Sequence, residues 1–259
     1  MSQNTVRLEV ADGIATMWFD RPPVNAINMD VVRAAAACLA NIDPDGPVRA
    51  VILTGAGACF SAGLDLKAVP RYGPAEQREM IDTINRTAGR LYALPVPTVA
   101  AVNGHAIAGG LVLALACDYR VCTRAACQLG LTEARAGIPF PAVPMAVVQA
   151  ELSPPAARRL TLLARNLDPE DALAWGVVDE LHLPHQVGPR ARQVAGDLAA
   201  IPRTAYARIK RQLRAATIAR IEHVLATGTD PVLNDWLTAE TAGAAASLLG
   251  STRPGRPSD

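Results

Sequence analysis

Aromatic residues are scarce in this chain, and neither sign of charge prevails. Phe, Trp and Tyr make up 4% of the 259 residues, whereas apolar residues of all kinds make up 50%. A sizeable core is therefore available, and it must be mostly aliphatic. The 25 basic and 24 acidic residues leave a net charge of +1. Because such a balance creates no strong field, we expect neither nucleic acid nor an anionic membrane as a partner.

Long apolar runs and paired cysteines are also missing. The glycine-flanked apolar run at residues 111–117 is far too short to span a bilayer. The first residues contain no basic segment followed by an apolar one, so they do not resemble a signal peptide. The five cysteines form no CxxC pair, which argues against a disulfide framework or a zinc site. We therefore expect a cytoplasmic protein without a metal site.

Several well-known site motifs are incomplete. The GAG at residues 55–57 begins like a dinucleotide-binding loop, but Phe60 stands where that fingerprint needs glycine. No phosphate-binding GxxxxGK[ST] occurs, and Ser61 does not lie in a GxSxG elbow. His182 and His185 are close in sequence, yet two histidines alone are weak evidence for a metal. No nucleotide cofactor, nucleophilic serine or metal centre is thus predicted.

Strand-like and helix-like segments alternate along the chain. Predicted strands cover residues 6–10, 14–19, 48–54, 98–102, 119–122 and 177–181. Predicted helices cover residues 28–42 and 74–94, and the pattern is helical from about residue 183 onward. The Arg- and Lys-rich stretch 202–226 is interpreted as a solvated helix face. This alternation predicts a layered α/β domain.

Two buried strands are each followed by a glycine-containing loop and a predicted helix. The segments are VILTGAGACFSAGLDL, with a helix near Leu64, and TVAAVNGHAIAGGLVLALA, with a helix near Gly109. Helix N-termini leave backbone N–H groups free, and two of them aimed at one point can bind a developing oxyanion. Glycine at 109 and 110 lets a ligand approach the backbone closely. The alternative is that Gly109 and Gly110 allow tight packing of the helix on a strand.

Several segments together resemble the signature elements of the crotonase superfamily, the enoyl-CoA hydratase/isomerase family. They are RPPVNAINMD, CFSAGLDL, VNGHAIAGGLVLALACDYR, LGLTEARAGIPF and LDPEDALAWGVVDEL, in the family's order. The resemblance implies an α/β crotonase-like ββα spiral at residues 1–200. It further implies a C-terminal helical region at 201–250, which serves oligomerisation or forms a lid. Residues 251–259 are expected to be a disordered tail.

The same resemblance implies the substrate and the assembly. Family members bind acyl-CoA thioesters, so coenzyme A is part of the substrate and no other cofactor is expected. They form homotrimers or pairs of trimers. By position, the oxyanion-hole N–H groups correspond to Ala62 and Gly109, and the acid/base corresponds to Glu133. The substrate-binding residues carried over in the same way are Ala26, Ser61, Leu64, Asp65, Gly110, Val112 and Phe140.

One position departs from the hydratase pattern. Hydratases carry a second glutamate three residues after the oxyanion glycine, where this chain has Val112. Hydration needs two acids, whereas moving a double bond needs a single base. Glu133 therefore favours a Δ3,Δ2-enoyl-CoA isomerase of the single-glutamate kind. The alternatives are a hydratase with a second acid from elsewhere and an acyl-CoA-binding protein with little catalysis; for Glu133 itself, the alternative role is a solvated loop or cap residue.

Overall fold

Two sheets of unequal size form the framework of the molecule. The computed structural model describes residues 5–233, 236–238, 241, 243, 244 and 247. The strands are β1 (Val6–Ala11), β2 (Ile14–Phe19), β3 (Ala50–Gly55), β4 (Cys59–Ser61), β5 (Thr98–Val102), β6 (His105–Ile107), β7 (Tyr119–Thr123), β8 (Leu129–Gly130) and β9 (Glu180–His182). The larger sheet has the order β1-β2-β3-β5-β7-β9, and the smaller has the order β4-β6-β8. Only the β1–β2 pair is antiparallel among these pairings.

Helices surround both sheets. They are α1 (Met29–Ala40), α2 (Pro74–Ala93), α3 (Gly109–Leu115), α4 (Glu133–Ala136), α5 (Ala142–Glu151), α6 (Pro154–Thr161), α7 (Pro169–Ala174), α8 (Pro184–Ala199), α9 (Arg203–Leu213) and α10 (Ala215–Thr227). A short 3-10 helix covers Val69–Arg71. Asn28 caps α1 by accepting from the Val31 N–H at 3.0 Å. Both predicted early helices and the helical C-terminal part are thus confirmed.

The central strands β3 and β5 of the larger sheet are buried on both faces, which explains their continuous apolar sequences. One face packs against α8, where Val99 and Val121 lie in a cluster with Val187 and Val194. The opposite face belongs to a larger core that also includes residues of α1, α2, α5 and α10. The C-terminal helices therefore share a core with the sheet that precedes them.

A unit of two strands is repeated three times in succession. The pairs β3–β4, β5–β6 and β7–β8 each place their first strand in the larger sheet and their second in the smaller. Because β4, β6 and β8 are parallel neighbours, the segments that follow them leave the same edge of the smaller sheet. This spiral of strand pairs brings three loops together.

One predicted helix is absent, and one predicted strand is present with different bounds. No helix begins near Leu64, because Leu64 forms a bridge with Ile27 and only the 3-10 helix follows. The strand predicted at 177–181 is a three-residue strand that begins at Glu180. The predicted tail at 251–259 lies outside the described residues.

Candidate active site

Three segments that leave the smaller sheet meet at one place. Leu64 follows β4 by three residues, Gly109 follows β6 by two, and Glu133 follows β8 by three. All three line one cavity of about 60 Å³. The parallel order β4-β6-β8 therefore explains why residues about 70 positions apart in sequence share a site.

The cavity is almost entirely apolar. Besides Leu64, Gly109 and Glu133, its described lining residues are Phe19, Ile27, Val31, Val32, Ala35, Ile84, Thr87, Ala88, Val112, Leu113, Ile138, Pro139, Phe140, Pro141, Pro144 and Trp236. Glu133 is the only carboxylic acid among these residues. Val112 and Phe140 line the cavity as the sequence predicted, and Val112 supplies no second acid.

Glu133 is a buried carboxyl group at the first position of α4. Its exposed fraction is 7%, and its Oε2 atom has no hydrogen-bond partner among the described residues. Burial raises the pKa of Glu133 to about 8, although its own backbone N–H lowers it slightly. Gly137, at φ +65°, ends the helix after one turn, so α4 serves mainly to hold this side chain. The solvated cap role considered for Glu133 is therefore wrong.

Two backbone N–H groups were predicted to bind the oxyanion, those of Ala62 and Gly109, and the structure excludes the first. The Ala62 N–H donates to Val24 O at 3.0 Å, so it is already bonded and the prediction of Ala62 as an oxyanion donor was wrong. The loop after Ala62 pairs with Ile27. The Ile27 N–H donates to Gly63 O at 2.7 Å, and Ile27 O accepts from the Asp65 N–H at 2.9 Å. Leu64 lies between Gly63 and Asp65, and in such a parallel bridge its N–H points away from Ile27. It has no acceptor within the described part of the chain.

The Gly109 N–H is the second candidate donor. The first intrahelical bond of α3 runs from the Val112 N–H to Ala108 O at 3.1 Å, which leaves the Gly109 N–H without an intrahelical acceptor. A Cβ atom placed on Gly63 would lie 3.1 Å from the Gly109 nitrogen and 2.7 Å from the Ala108 Cβ. The β4 and β6 loops therefore touch, with the Leu64 and Gly109 amides on either side of the contact.

The space available for a side chain differs between the adjacent glycines at 109 and 110. A Cβ on Gly110 would lie 2.4 Å from Ser61 O, so this position needs glycine for packing. A Cβ on Gly109 would meet only Ile27 Cδ1 at 3.6 Å, which is ordinary contact distance. Gly109 instead lines the cavity. The packing alternative therefore holds for Gly110, and the approach of a ligand to Gly109 stays a prediction.

Four predicted substrate-binding residues do not line the cavity. Ser61 is fully buried and donates from its hydroxyl to Asn25 O at 2.8 Å, while Gly110 packs on its carbonyl. Asp65 forms an ion pair with Arg21 at 2.7 Å and accepts from the Lys67 N–H at 2.9 Å. These contacts give Ser61, Asp65 and Gly110 structural roles.

Ala26 also lies outside the cavity. Its carbonyl oxygen accepts from Arg21 Nη1 at 3.0 Å. Arg21 thus ties the Ala26 backbone to Asp65 and the loop after β4. A contact between Ala26 and substrate stays a prediction.

Trp236 also lines the cavity, but no sequence motif indicates it, because it lies 96 residues beyond Phe140 in a segment without a motif. Its side chain is fully buried and donates from Nε1 to Pro139 O at 3.0 Å.

Other kinds of site find no support in the described residues. No group of three His, Cys, Asp or Glu side chains is arranged to hold a metal ion there. All five cysteines are free thiols, and four of them are buried. Over the part of the chain that the structure describes, none of the helices has the length and apolar character needed to cross a membrane.

Comparison with known proteins agrees with this architecture. A family model described as enoyl-CoA hydratase/isomerase matches residues 9–231. The mitochondrial enoyl-CoA delta isomerase 1 of Mus musculus is 34% identical over 214 residues, or 82% of this chain and 74% of that protein. A putative enoyl-CoA hydratase of Thermus thermophilus is 36% identical over 178 residues, or 68% of this chain and 70% of that protein.

A solved structure of the human mitochondrial delta3-delta2-enoyl-CoA isomerase superposes with a TM-score of 0.88 at 28% identity. The match covers 95% of this chain and 97% of that one. Relatives named for two different reactions are thus about equally similar in sequence, and identity alone does not choose between them. The chain belongs to the enoyl-CoA hydratase/isomerase family of the crotonase superfamily, and its α/β architecture is the crotonase fold.

Proposed function

We propose that this protein is a Δ3,Δ2-enoyl-CoA isomerase in which Glu133 is the only acid/base. The observation that carries the proposal is a single carboxyl group, unpartnered and buried, in a cavity whose other described lining residues include no acid. The isomerase names of the mouse and human relatives support the same choice. An acyl-CoA thioester is the substrate, and coenzyme A is not a separate cofactor.

The proposed reaction is a proton transfer between two carbon atoms. The Glu133 carboxylate removes a proton from C2 of a 3-enoyl-CoA, and the electron pair of the C2–H bond moves toward the thioester carbonyl. The resulting dienolate oxygen accepts hydrogen bonds from the N–H groups of Leu64 and Gly109. Glu133 then returns the proton to C4, which leaves the double bond between C2 and C3. Donors fixed in advance stabilise the developing oxyanion without reorganisation.

The apolar surroundings of Glu133 suit this exchange. Desolvation makes its carboxylate more basic than an exposed one and its conjugate acid ready to return the proton. Hydration would require a second group to supply or accept a proton at the opposite carbon, and Val112 cannot do so. The single acid therefore favours isomerisation over addition of water.

Assembly, location and domain division are part of the same proposal. We expect a cytoplasmic homotrimer or pair of trimers, by resemblance to the family. The spiral core at residues 1–200 and the helical region at 201–250 are proposed as the two parts of each subunit. We expect the second part to complete the acyl cavity, since Trp236 comes from it.

The decisive experiment replaces the carboxyl group with an amide. Glu133→Gln should lower kcat for conversion of 3-enoyl-CoA to trans-2-enoyl-CoA by about 10²–10⁴-fold, because Gln cannot accept a proton. KM should change little, since size and shape are kept. Wild-type protein should isomerise 3-enoyl-CoA faster than it hydrates trans-2-enoyl-CoA. Its kcat/KM for isomerisation should rise with pH and level off above about pH 8, because Glu133 is then ionised.

Glu170→Gln is the matched control, because Glu170 carries the same change on α7, where its side chain is 62% exposed. It should retain wild-type turnover. Efficient hydration by wild-type protein without isomerisation would show that a second acid reaches the cavity. Tight binding of acyl-CoA without turnover in either assay would instead identify a binding protein.

A further inference from the structure

The wall of the cavity includes one residue from outside the spiral. Trp236 is the largest side chain that lines the cavity, and it is fully buried. Leu64, Gly109 and Glu133, which would contact the reacting end of the substrate, all come from the smaller sheet's loops. Trp236 comes from the C-terminal segment after α10. The wall that it forms can therefore vary independently of the catalytic loops.

The indole ring is held in place. Its Nε1 donates to Pro139 O at 3.0 Å, and Pro139, Phe140 and Pro141 line the cavity beside it. Two prolines restrict the backbone of this segment, so the acceptor is fixed. A buried indole whose N–H is already bonded does not swing aside without leaving Pro139 O unpaired. Trp236 is thus a rigid wall.

The cavity is small for an acyl-binding site. Its volume is about 60 Å³, less than half that of a cavity of roughly 150 Å³ that holds one benzene molecule. A cavity of this size admits only a few carbon atoms beyond the thioester. The walls contributed by α1 and α2, including Val31, Ala35 and Ala88, are parts of packed helices and cannot retreat easily.

We propose that Trp236 determines acyl-chain specificity by ending the cavity, and that this protein acts on short acyl-CoA thioesters of up to roughly six carbon atoms. This inference rests on the proposed function, because it assumes that the cavity binds the acyl group. It assigns the specificity to one side chain of the C-terminal segment.

Binding of saturated thioesters tests the inference without depending on catalysis. The dissociation constants of acetyl-, butyryl-, hexanoyl-, octanoyl- and dodecanoyl-CoA are measured by titration calorimetry with the full-length protein. Affinity should rise about fourfold per methylene group while the chain fits. It should then stop rising, with dodecanoyl-CoA bound at least tenfold more weakly than hexanoyl-CoA.

Substitutions identify the wall. Trp236→Ala should move the tightest-binding chain to octanoyl or longer, and Trp236→Phe, which keeps an aromatic ring but is smaller, should move it less. Trp175→Ala is the matched control: Trp175 stacks with Arg159 at 4.8 Å and does not line the cavity. Its chain-length profile should match that of wild-type protein.

The outcomes separate this inference from the proposed function. Equal affinity of wild-type protein for all chain lengths, or an unchanged profile in Trp236→Phe and Trp236→Ala, overturns the role of Trp236 alone. Absence of binding to every thioester overturns the proposed function as well. If Trp236→Ala does not fold, the wild-type profile and Trp236→Phe still decide the question.

Discussion

At the scale of single residues, Glu133 couples the stability of the fold to pH. Its folded-state pKa of about 8 lies far above the ordinary value of 4.5, because burial penalises the charged form. Between these two pH values the folded state holds one proton that the unfolded state has lost. The free energy of unfolding therefore decreases as pH rises through this window.

We predict that this contribution disappears in Glu133→Gln. In wild-type protein, the contribution of Glu133 to the free energy of unfolding should fall by about 1 kcal/mol per pH unit between roughly pH 5 and 8. Gln is neutral throughout, so the variant should gain stability relative to wild type as pH rises. Denaturant titrations at a series of pH values measure this difference. A difference that stays constant with pH would show that Glu133 is not desolvated.

The two adjacent glycines should respond differently to alanine. Gly110→Ala places a methyl group 2.4 Å from Ser61 O, so its free energy of unfolding should be lower than that of wild type by several kcal/mol. Gly109→Ala has room in the fold but projects into the cavity, so its stability should stay near wild type while turnover falls. Thermal unfolding and isomerase assays on both variants check the contrast. Equal loss of stability in both would contradict it.

The sequence predicts part of this site and misses part for physical reasons. Gly109, Val112 and Glu133 lie in segments with strong patterns, and all three line the cavity. Ala62 was named instead of Leu64 because the sequence does not reveal that the Ala62 N–H donates to Val24 O, whereas the Leu64 N–H has no acceptor among the described residues. Trp236 reaches the site only through tertiary packing, so no local pattern indicates it.

At the scale of elements, the longer strands and helices follow from their patterns, but the smaller sheet does not. β4, β6 and β8 contain three, three and two residues. Strands this short show neither alternation nor a continuous apolar run, and side-chain periodicity cannot identify them. They are nevertheless the elements that position all three site loops.

The junction of α9 and α10 shows a second limit of pattern reading. The cation-rich segment was interpreted as a solvated face, yet Lys210 and Arg214 are buried. Lys210 pairs with Asp118 at 2.8 Å. Arg214 pairs with Asp118 at 3.1 Å and with Glu151 at 3.3 Å. Single-sequence patterns cannot tell a paired buried cation from a solvated one.

Arg214 also donates hydrogen bonds to carbonyl groups at the ends of two helices. Its guanidinium donates to Tyr92 O at 2.9 Å in the last turn of α2, and to Cys117 O at 3.1 Å after α3. Unpaired carbonyl groups at helix C-termini favour such a cation. The guanidinium also lies over the Tyr92 ring, 4.0 Å from its centre. One side chain therefore joins α9 and α10 to the elements beneath them.

We predict that Arg214→Ala destabilises the fold by about 3–5 kcal/mol, since it leaves the partly buried carboxylates of Asp118 and Glu151 with fewer partners. Arg211→Ala is the matched control, one turn earlier in the chain on α9, because Arg211 and its partner Glu222 are 69% and 57% exposed. Its effect should stay within about 0.5 kcal/mol. Urea titrations of both variants measure the difference. A small loss of stability in Arg214→Ala would show that the attraction within these ion pairs only balances the cost of removing their charges from water.

At the scale of the whole molecule, the C-terminal part completes the core of the spiral. A Cβ on Gly89 would lie 2.7 Å from Ile221 Cγ2, so α2 and α10 approach closely. Asp230 accepts from Asn85 Nδ2 at 2.7 Å and from the Ala142 N–H at 2.7 Å. With Trp236 in the cavity wall, these contacts show that the C-terminal part contributes to both the core and the candidate site.

The last prediction concerns association between subunits. Ile209 and Leu213 lie one turn apart on α9 and are 62% and 84% exposed. With Ile201 they border a cleft of about 630 Å³. Exposed apolar groups beside a cleft are typical of interfaces, because burial against a partner removes them from water. We expect this cleft to be covered in the homotrimer or pair of trimers that is proposed by resemblance to the family.

Sedimentation velocity at micromolar concentration tests this expectation. Wild-type protein should sediment as a trimer or hexamer, and Leu213→Glu should shift it toward smaller species, since a carboxylate at a covered apolar contact is costly to desolvate. Leu225→Glu is the control, because it places the same charge on α10, where Leu225 is 39% exposed and does not border this cleft. A monomeric wild type would contradict the assembly. An oligomer that Leu213→Glu leaves intact would place the interface on another face, because a new charge at a buried contact weakens association whatever the stability of the subunit.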